Sequence, residues 1–212
     1  MPTPSDVELV QRAAAGDRAA FAAIYERHRT VVYRFARLMS GSDATAEDVT
    51  QEVFVTLIHT MVTYEPQRAG LLTYLYGIAR NVTRNRLRRD RRFVALDAVS
   101  LKAVSLKAGA AGVVPASDDP HDAASRAEER ALLRRAVLSL PSRYREVIIL
   151  SDVHGLAYAE SARILHVPVG TVRSRLSRGR QMLAARLDAA TAPVRTSPAS
   201  GIAGPRIERC VV

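Results

Sequence analysis

Arginine and serine side chains crowd one short segment of the C-terminal half, and their spacing indicates a binding surface. The segment contains Arg173, Ser174, Arg175, Ser177, Arg178 and Arg180. Arginine supplies a fixed positive charge and a planar fork of donors, and serine adds a hydroxyl. This set suits a partner that is rich in negative charge and in hydrogen-bond acceptors.

A helix must position these side chains. Pro168 suits the first turn of a helix, where its missing N–H costs nothing. Val172, Leu176 and Leu183 recur at helical intervals and predict a stripe that faces a core. The arginines and serines then fall on the remaining faces.

The segment just before this helix suggests a specific motif. Residues 156–165, LAYAESARIL, predict a short helix with Ala159, Ala162 and Leu165 facing inward. Only His166 to Pro168 separate the two helices, and two short helices joined by so tight a turn fit a helix-turn-helix. Its second helix enters the major groove of DNA. A solvated basic helix is the alternative that a charge run alone leaves open.

A second basic helix is predicted in the N-terminal half, over residues 70–92. Its buried stripe consists of Leu71, Leu75, Ile78 and Val82. Its arginine track lies about half a turn away and includes Arg80, Arg84 and Arg88. Tyr64, Tyr74 and Tyr76 lie before or within its start. Aromatic rings beside a basic track are what single-stranded nucleic acid needs for stacking, although Tyr74 and Tyr76 could instead complete the core.

The composition favours a nucleic-acid partner. The 212 residues include 31 basic and 21 acidic side chains, for a net charge of +10. Phosphate contacts supply most of the nonspecific affinity for nucleic acid. The single cysteine, Cys210, cannot form an intramolecular disulfide, which fits a reducing compartment. The sequence has no apolar run long enough to span a membrane and no export signal, so we expect a soluble, cytoplasmic protein without membrane insertion.

Composition shifts predict two helical domains. Helical periodicity fills residues 5–92 and returns at 121–189. Residues 93–120 read as a flexible linker, which contains the duplication AVSLK-AVSLK at 98–107. Residues 190–212 read as a disordered tail. The predicted fold class is therefore all-α, with two small helical domains on a flexible connector.

Catalytic chemistry finds little support. The five histidines, at 28, 59, 121, 154 and 166, show no ligand spacing with carboxylates or with the cysteine. No glycine-rich phosphate loop precedes a helix. A nuclease would need a carboxylate cluster for metal, and the acidic residues near 43–52 lie on a different segment from the basic track. We therefore expect no enzyme, no cofactor, no metal and no small-molecule substrate.

Four stretches of the sequence together resemble a known family. They are AFAAIYERHRTVVYRFARLMSG, DATAEDVTQEVFVTLIHT, YLYGIARNVTRNRLRR and LPSRYREVIILSDVHGLAYAESARILHVPVGTVRSRLSRGRQML. In that order they resemble the successive stretches of an extracytoplasmic-function (ECF) sigma factor of the sigma-70 family. The resemblance implies a region 2 helical bundle and a region 4 helix-turn-helix joined by a flexible linker. It also implies a non-enzyme that directs RNA polymerase to promoters and helps to melt them.

The resemblance also implies roles for particular residues. Those that resemble the family's contacts to the −35 promoter element are Thr171, Arg173, Ser174, Ser177 and Arg178. Those that resemble its contacts to the unpaired −10 strand are Tyr64, Tyr74, Tyr76, Arg80, Asn81, Arg84 and Arg88. Those that resemble its contacts to the polymerase are Glu47, Asp48, Gln51 and Glu52.

The partners implied by the resemblance are core RNA polymerase, through its β′ clamp helices and β flap, promoter DNA and an anti-sigma factor. Ser161 stands where the family usually has an aliphatic residue, and we expect its hydroxyl to bond the carbonyl of Ala157. A helix-turn-helix activator or repressor that acts without polymerase is the alternative of the same class. A nucleic-acid-processing enzyme is the alternative of another class.

Overall fold

The computed structural model describes residues 4–97 and 120–191, and their side chains over 4–90 and 127–190. Across the described residues the regular elements are helices, so the predicted all-α class is confirmed. The AVSLK duplication and the tail from 192 onward lie outside the described residues. The linker and the tail therefore remain predictions.

The first module, residues 4–97, contains four α-helices and one 3₁₀ turn. They are α1 (Asp6–Ala14), α2 (Arg18–Ser40), α3 (Asp43–Thr60), the 3₁₀ turn Met61–Thr63 and α4 (Leu71–Asp97). Side chains of Ser5, Asp17 and Ser42 accept backbone N–H bonds at the starts of α1, α2 and α3. These caps satisfy donors that the first helical turn leaves unpaired.

The core of the first module gathers one face from each helix. Ile24 and Phe35 of α2, Leu57 of α3, and Leu71 and Leu75 of α4 are almost fully buried. Apolar spacing of three and four residues produces these faces. The predicted stripe of α4 is confirmed at Leu71, Leu75 and Val82, and Ile78 is half-buried. The stripe fixes which side of α4 remains for other contacts.

The second module, residues 120–191, also consists of helices. They are α5 (Pro120–Ser139), α6 (Ser142–Ile148), a π turn at Ile149–Val153, α7 (Tyr158–Leu165) and α8 (Val169–Thr191). Its core includes Val147, Ile148 and Leu150 of the α6 and π-turn segment with Val172 and Leu176 of α8. A Cβ on Gly179 would lie 3.1 Å from Ile148, so a glycine in α8 permits close approach to α6.

Helices α7 and α8 form the predicted helix-turn-helix. His166 ends α7 in the left-handed conformation, with φ of 54°, and histidine is among the side chains that adopt it more readily. The carbonyl of Pro168 accepts the first bonds of α8, from the N–H groups of Thr171 and Val172. Ala162 and Leu165 are buried as predicted, but Ala159 is exposed. The buried face of α7 also includes Ser161 and Ile164, and at about 100° per residue Ala159 lies on the opposite side of the helix.

The two modules are in contact. Helix α4 packs on α7, and α2 packs on α5, α6 and the π turn. Helix α4 also continues to Asp97, past the predicted domain end at 92, and α5 begins at Pro120. The sequence predicts two separate bodies, whereas the structure places α4 between its own bundle and the second module.

Candidate nucleic-acid interface

The exposed face of α8 carries the predicted −35 contacts. Arg173, Ser174, Ser177 and Arg178 are exposed, and Thr171 is half-buried. Val172 and Leu176, 0% and 2% exposed, hold the opposite face in the core. The Ser174 hydroxyl donates to the carbonyl of Thr171 at 3.1 Å, one turn back. The structure thus brings these side chains together on one solvent-facing surface of a firmly packed helix.

The other two arginines of α8 have different surroundings. Arg180 donates twice to the Asp152 carboxylate of the π turn, at 3.0 and 2.6 Å, and this pairing raises the pKa of Arg180. Arg175 is half-buried. Arg173 and Arg178 therefore provide the exposed charge of this helix face, while Arg180 ties α8 to the turn.

Two tyrosines form a pair at the start of α4. The rings of Tyr64 and Tyr74 lie 5.3 Å apart, and both side chains are half-buried. The Tyr64 hydroxyl donates to the carbonyl of Ala69 at 2.9 Å, which fixes the loop before the helix. Burial raises the pKa of Tyr64. This pair presents aromatic surface next to the arginine track.

Tyr76 lies elsewhere, in the interior. It is 1% exposed, its ring packs against Phe35 at 5.3 Å, and burial raises its pKa. The structure thus realises the core alternative for Tyr76 in this arrangement of the modules. Tyr74 stays at the surface with Tyr64, so the two tyrosines of α4 are separated.

The arginine track of α4 is divided along its length. Asn81 and Arg88 are exposed, and the side chain of Arg84 is 39% exposed. Arg80 is buried, and its Nε donates to Glu146 of α6 at 2.9 Å. The track was predicted to face solvent; at Arg80 it instead faces the second module.

The predicted polymerase-binding residues share the exposed face of α3. Glu47, Asp48, Gln51 and Glu52 are all exposed, and Val53 and Leu57 hold the helix from the other side. Arg86 of α4 reaches this face and bonds Asp48 at 2.6 Å and Glu52 at 2.8 Å. The bond to Glu52, followed by that to Asp48, raises the pKa of Arg86. A basic partner at this face meets carboxylates that are already oriented.

Several residues at the module boundary were missed from the sequence. Glu146 directly follows Arg145 and precedes the apolar run at 147–150, so its surroundings in the sequence do not predict burial. His154 does lie at a helix end, after the π turn, but its packing against another helix was not predicted. The ring of His154 lies 5.1 Å from that of Tyr76 and 6.2 Å from that of Phe35. Burial, with a smaller effect of Arg34, lowers the pKa of His154 to about 4. No local signal in the sequence indicates that Glu146 is buried against α4.

The bond predicted for Ser161 is wrong. Its buried hydroxyl lies 3.0 Å from the hydroxyl of Ser151, and not on the carbonyl of Ala157. The Ala157 carbonyl accepts the backbone N–H of Ser161, as the helix requires. A serine pair between the π turn and α7 therefore satisfies the buried polar group.

Within residues 4–97 and 120–191, no cluster of histidine, cysteine and acidic side chains could hold a metal ion. The same described helices include none with the length and apolarity to cross a bilayer. Charged and aromatic side chains on α3, α4 and α8 form the surfaces described above, and such surfaces suit binding to macromolecules.

Comparisons with known proteins agree with this geometry. The family profile described as Sigma-70 region 2 matches residues 24–93, and the profile described as Sigma-70, region 4 matches residues 130–183. These ranges contain the α4 track and the α8 face respectively.

Characterised relatives match most of the chain. The ECF RNA polymerase sigma factor SigW of Bacillus subtilis is 32% identical over 182 residues, covering 84% of this chain and 94% of the relative. The ECF RNA polymerase sigma-E factor of Escherichia coli K12 is 32% identical over 181 residues, covering 84% and 92%. The similarity therefore spans both modules.

Solved structures share the fold. CnrH, in complex with the cytosolic domain of CnrY, is 25% identical with a TM-score of 0.62, covering 89% of this chain and 100% of CnrH. The sigma factor RpoE of Bartonella quintana, in complex with the anti-sigma factor NepR, is 24% identical with a TM-score of 0.62, covering 79% and 96%. With both regions matched and relatives aligned over nearly their whole length, this chain belongs to the ECF sigma factors of the sigma-70 family, the non-enzymatic initiation factors that bind core RNA polymerase and direct it to promoters.

Proposed function

We propose a division of labour within this ECF sigma factor, in which α8 reads the −35 element, α4 holds the unpaired −10 strand and α3 docks on the polymerase. The observation that carries this proposal is the α8 face, where Arg173 and Arg178 project to solvent from a helix packed on Val172 and Leu176. A rigid helix with solvent-exposed donors is the geometry that base reading in the major groove requires.

Support for the −35 role comes from the chemistry of the exposed side chains. Arginine pairs bidentately with the O6 and N7 atoms of guanine, and serine and threonine hydroxyls bond bases or phosphates. Arg173, Ser174, Ser177 and Arg178 are exposed, with Thr171 at their edge. The bond from Arg180 to Asp152 leaves Arg180 to hold α8 in place.

Support for the −10 role comes from the start and middle of α4. The Tyr64 and Tyr74 rings offer stacking surface, which is worth ~1–3 kcal/mol per base. Asn81, Arg84 and Arg88 follow along the accessible part of the track. Tyr76 and Arg80 belong to the same proposed site, and both are buried in this arrangement of the modules.

Support for polymerase docking comes from the charge of the α3 face. Glu47, Asp48, Gln51 and Glu52 present acceptors to solvent, suited to basic side chains of the β′ clamp helices. We further propose the β flap as a contact of the second module and an anti-sigma factor as the restraining partner. Core polymerase works in the cytoplasm, and we place this chain there with it.

A helix-turn-helix regulator that acts without polymerase is a weaker proposal. Such a protein needs no acidic docking face and no aromatic and basic first module. Purified chain with core polymerase should start transcription at defined promoters, and the chain alone should bind promoter duplex weakly. Tight, specific duplex binding by the chain alone would favour the regulator.

The division of labour is tested with Arg173→Ala and Arg84→Ala on one promoter. Arg173→Ala should weaken protection of the −35 element in footprints. Arg84→Ala should spare that protection and reduce permanganate reactivity of thymines at −10. Arg130→Ala, an exposed arginine of α5, is the matched control. Normal opening by Arg84→Ala, together with failure of Arg173→Ala on a template already melted at −10, would contradict the assignment.

A further inference from the structure

An ion pair joins the two modules at the middle of α4. Arg80 Nε lies 2.9 Å from Glu146 Oε2, and the two side chains are only 8% and 5% exposed. Arg84 Nε lies 3.8 Å from the other carboxylate oxygen of Glu146. One carboxylate of the second module therefore faces two cations of the helix that we assign to the −10 strand.

Further contacts surround this pair and close the boundary. A second nitrogen of Arg80 donates to the carbonyl of Ile164 at 3.2 Å. Thr73 donates to Glu160 at 3.3 Å, and Arg163 donates to the carbonyl of Arg68 at 3.1 Å. The His154 ring fills the space beside Tyr76. The contact runs along α4 from its first turn to Arg84.

The chemistry of Glu146 matches that of the ligand expected at this place. Guanidinium groups recognise carboxylate and phosphate through the same forked arrangement of donors. Because Glu146 already occupies Arg80 and approaches Arg84, a phosphate can reach the same donors only after Glu146 has left. Burial strengthens this exclusion, since an unpaired buried carboxylate is costly.

We propose that Glu146 is an internal substitute for a DNA phosphate, which keeps the free chain closed over the middle of α4. In the closed chain Tyr76 and Arg80 are inaccessible to single-stranded DNA, which can contact only the two ends of the proposed −10 site. Separation of the modules on the polymerase exchanges the carboxylate for phosphate. This inference rests on the proposed −10 role of α4.

The first test measures the distance between the modules in the full-length chain. Cys210→Ser removes the single cysteine, and Ala22→Cys on α2 with Ala184→Cys on α8, both exposed positions, accept a dye pair. Glu146→Gln should lower the energy transfer of the free protein. Glu128→Gln, which removes the same charge from an exposed position on α5, is the matched control and should leave the transfer unchanged.

The second test measures binding of a fluorescein-labelled single-stranded oligodeoxynucleotide of mixed sequence to the same proteins without polymerase. Glu146→Gln should bind several-fold more tightly than Glu128→Gln. It should also show a steeper salt dependence, because every additional phosphate that the protein neutralises increases the slope. Equal affinity and equal slope for the two variants would overturn the proposal.

A charge exchange keeps the test decisive if Glu146→Gln fails to fold. Glu146→Arg places like charges together and should open the chain, and adding Arg80→Glu should restore high energy transfer. Glu160→Gln, at the edge of the boundary, should shift both readouts in the same direction by a smaller amount. Unchanged energy transfer in all of these variants would refute the proposed closure by Glu146.

The two proposals fail separately. If the wild-type chain with core polymerase does not start transcription, the proposed function fails, whatever the dye pair reports. If transcription proceeds and Glu146→Gln behaves like Glu128→Gln in both measurements, the proposed closure by Glu146 fails and the proposed function stands.

Discussion

Helices α4 and α8 each carry an arginine row opposite an apolar stripe, yet no arginine of α8 is buried as Arg80 of α4 is. Arg173 and Arg178 face solvent, whereas Arg80 is 7% exposed and paired with Glu146. Both helices have the same pattern, so the pattern alone does not decide accessibility. Accessibility depends on the surface that packs onto each helix. Helix α8 keeps one face exposed to solvent, whereas the middle of α4 lies against the second module.

The largest expected difference between the two rows is in stability. Arg80→Ala leaves the Glu146 carboxylate buried without its main cation, and removing one partner of a buried pair costs about 3 kcal/mol or more. The loss is smaller if the modules separate and water reaches Glu146. Arg173→Ala should change the free energy of unfolding by less than about 0.5 kcal/mol. Urea denaturation of both variants measures the two losses in free energy of unfolding, and equal losses would contradict this prediction.

The next effect concerns DNA affinity. Arg178→Ala in the polymerase holoenzyme should weaken use of the −35 element by ~1–3 kcal/mol if this side chain contacts a base edge. Arg130→Ala, an exposed arginine on α5, is the control and should have little effect. Competition binding with promoters that carry and lack the −35 element gives the measurement. A loss that is the same on both promoters would assign Arg178 to the phosphate backbone.

The pH dependence of stability tests the burial of His154 at the boundary between the modules. Burial lowers the pKa of His154 to about 4, from an ordinary 6.5, so the unfolded chain takes up a proton at higher pH than the folded chain. Stability from this residue is complete above pH 6.5 and is lost as the pH falls toward 4. We expect about 1–2 kcal/mol, and His154→Phe should remove this part of the pH dependence. Thermal melts between about pH 7 and 4.5 compare the two proteins, and identical profiles would exclude His154 as the source.

The smallest effect is expected where α4 meets the acidic face of α3. The Arg86 side chain is 31% exposed, and its partners Asp48 and Glu52 are 59% and 48% exposed. Solvent-exposed pairs contribute about 0.2–1 kcal/mol, so Arg86→Ala should destabilise the chain far less than Arg80→Ala. Raising the salt concentration should reduce the Arg86 effect further, because exposed pairs are screened. A loss of stability as large as that of Arg80→Ala would show that burial does not distinguish the two ion pairs.

The sequence predicted features that depend on neighbours along the chain. The spacing of Val172 and Leu176 located the buried side of α8, and the same reasoning located Leu71 and Leu75 in α4. The helix-turn-helix followed from two short helices and a tight turn. These predictions succeeded because a helical period is a local property.

The sequence did not predict features that depend on distant partners. Arg80 and Glu146 are 66 residues apart, and nothing local to either one signals the other. Tyr76 continues the aromatic group of Tyr64 and Tyr74 in sequence, but the packing of Phe35 and His154 draws it inside. The periodicity of α4 identified the side opposite its own core without showing that a second core surface covers part of it.

The π turn at Ile149–Val153 sets the rotation of the residues that follow it in the second module. An α-helix advances by about 100° per residue, and a π turn holds an extra residue within one turn. His154 meets Tyr76, Asp152 meets Arg180 and Ser151 meets Ser161 at the phase set by this wider turn. Removing one residue from it would rotate everything that follows by about one residue step. The contact with α4 and the packing of α8 would then be lost together. The π turn therefore fixes both the boundary between the modules and the position of the DNA-facing helix.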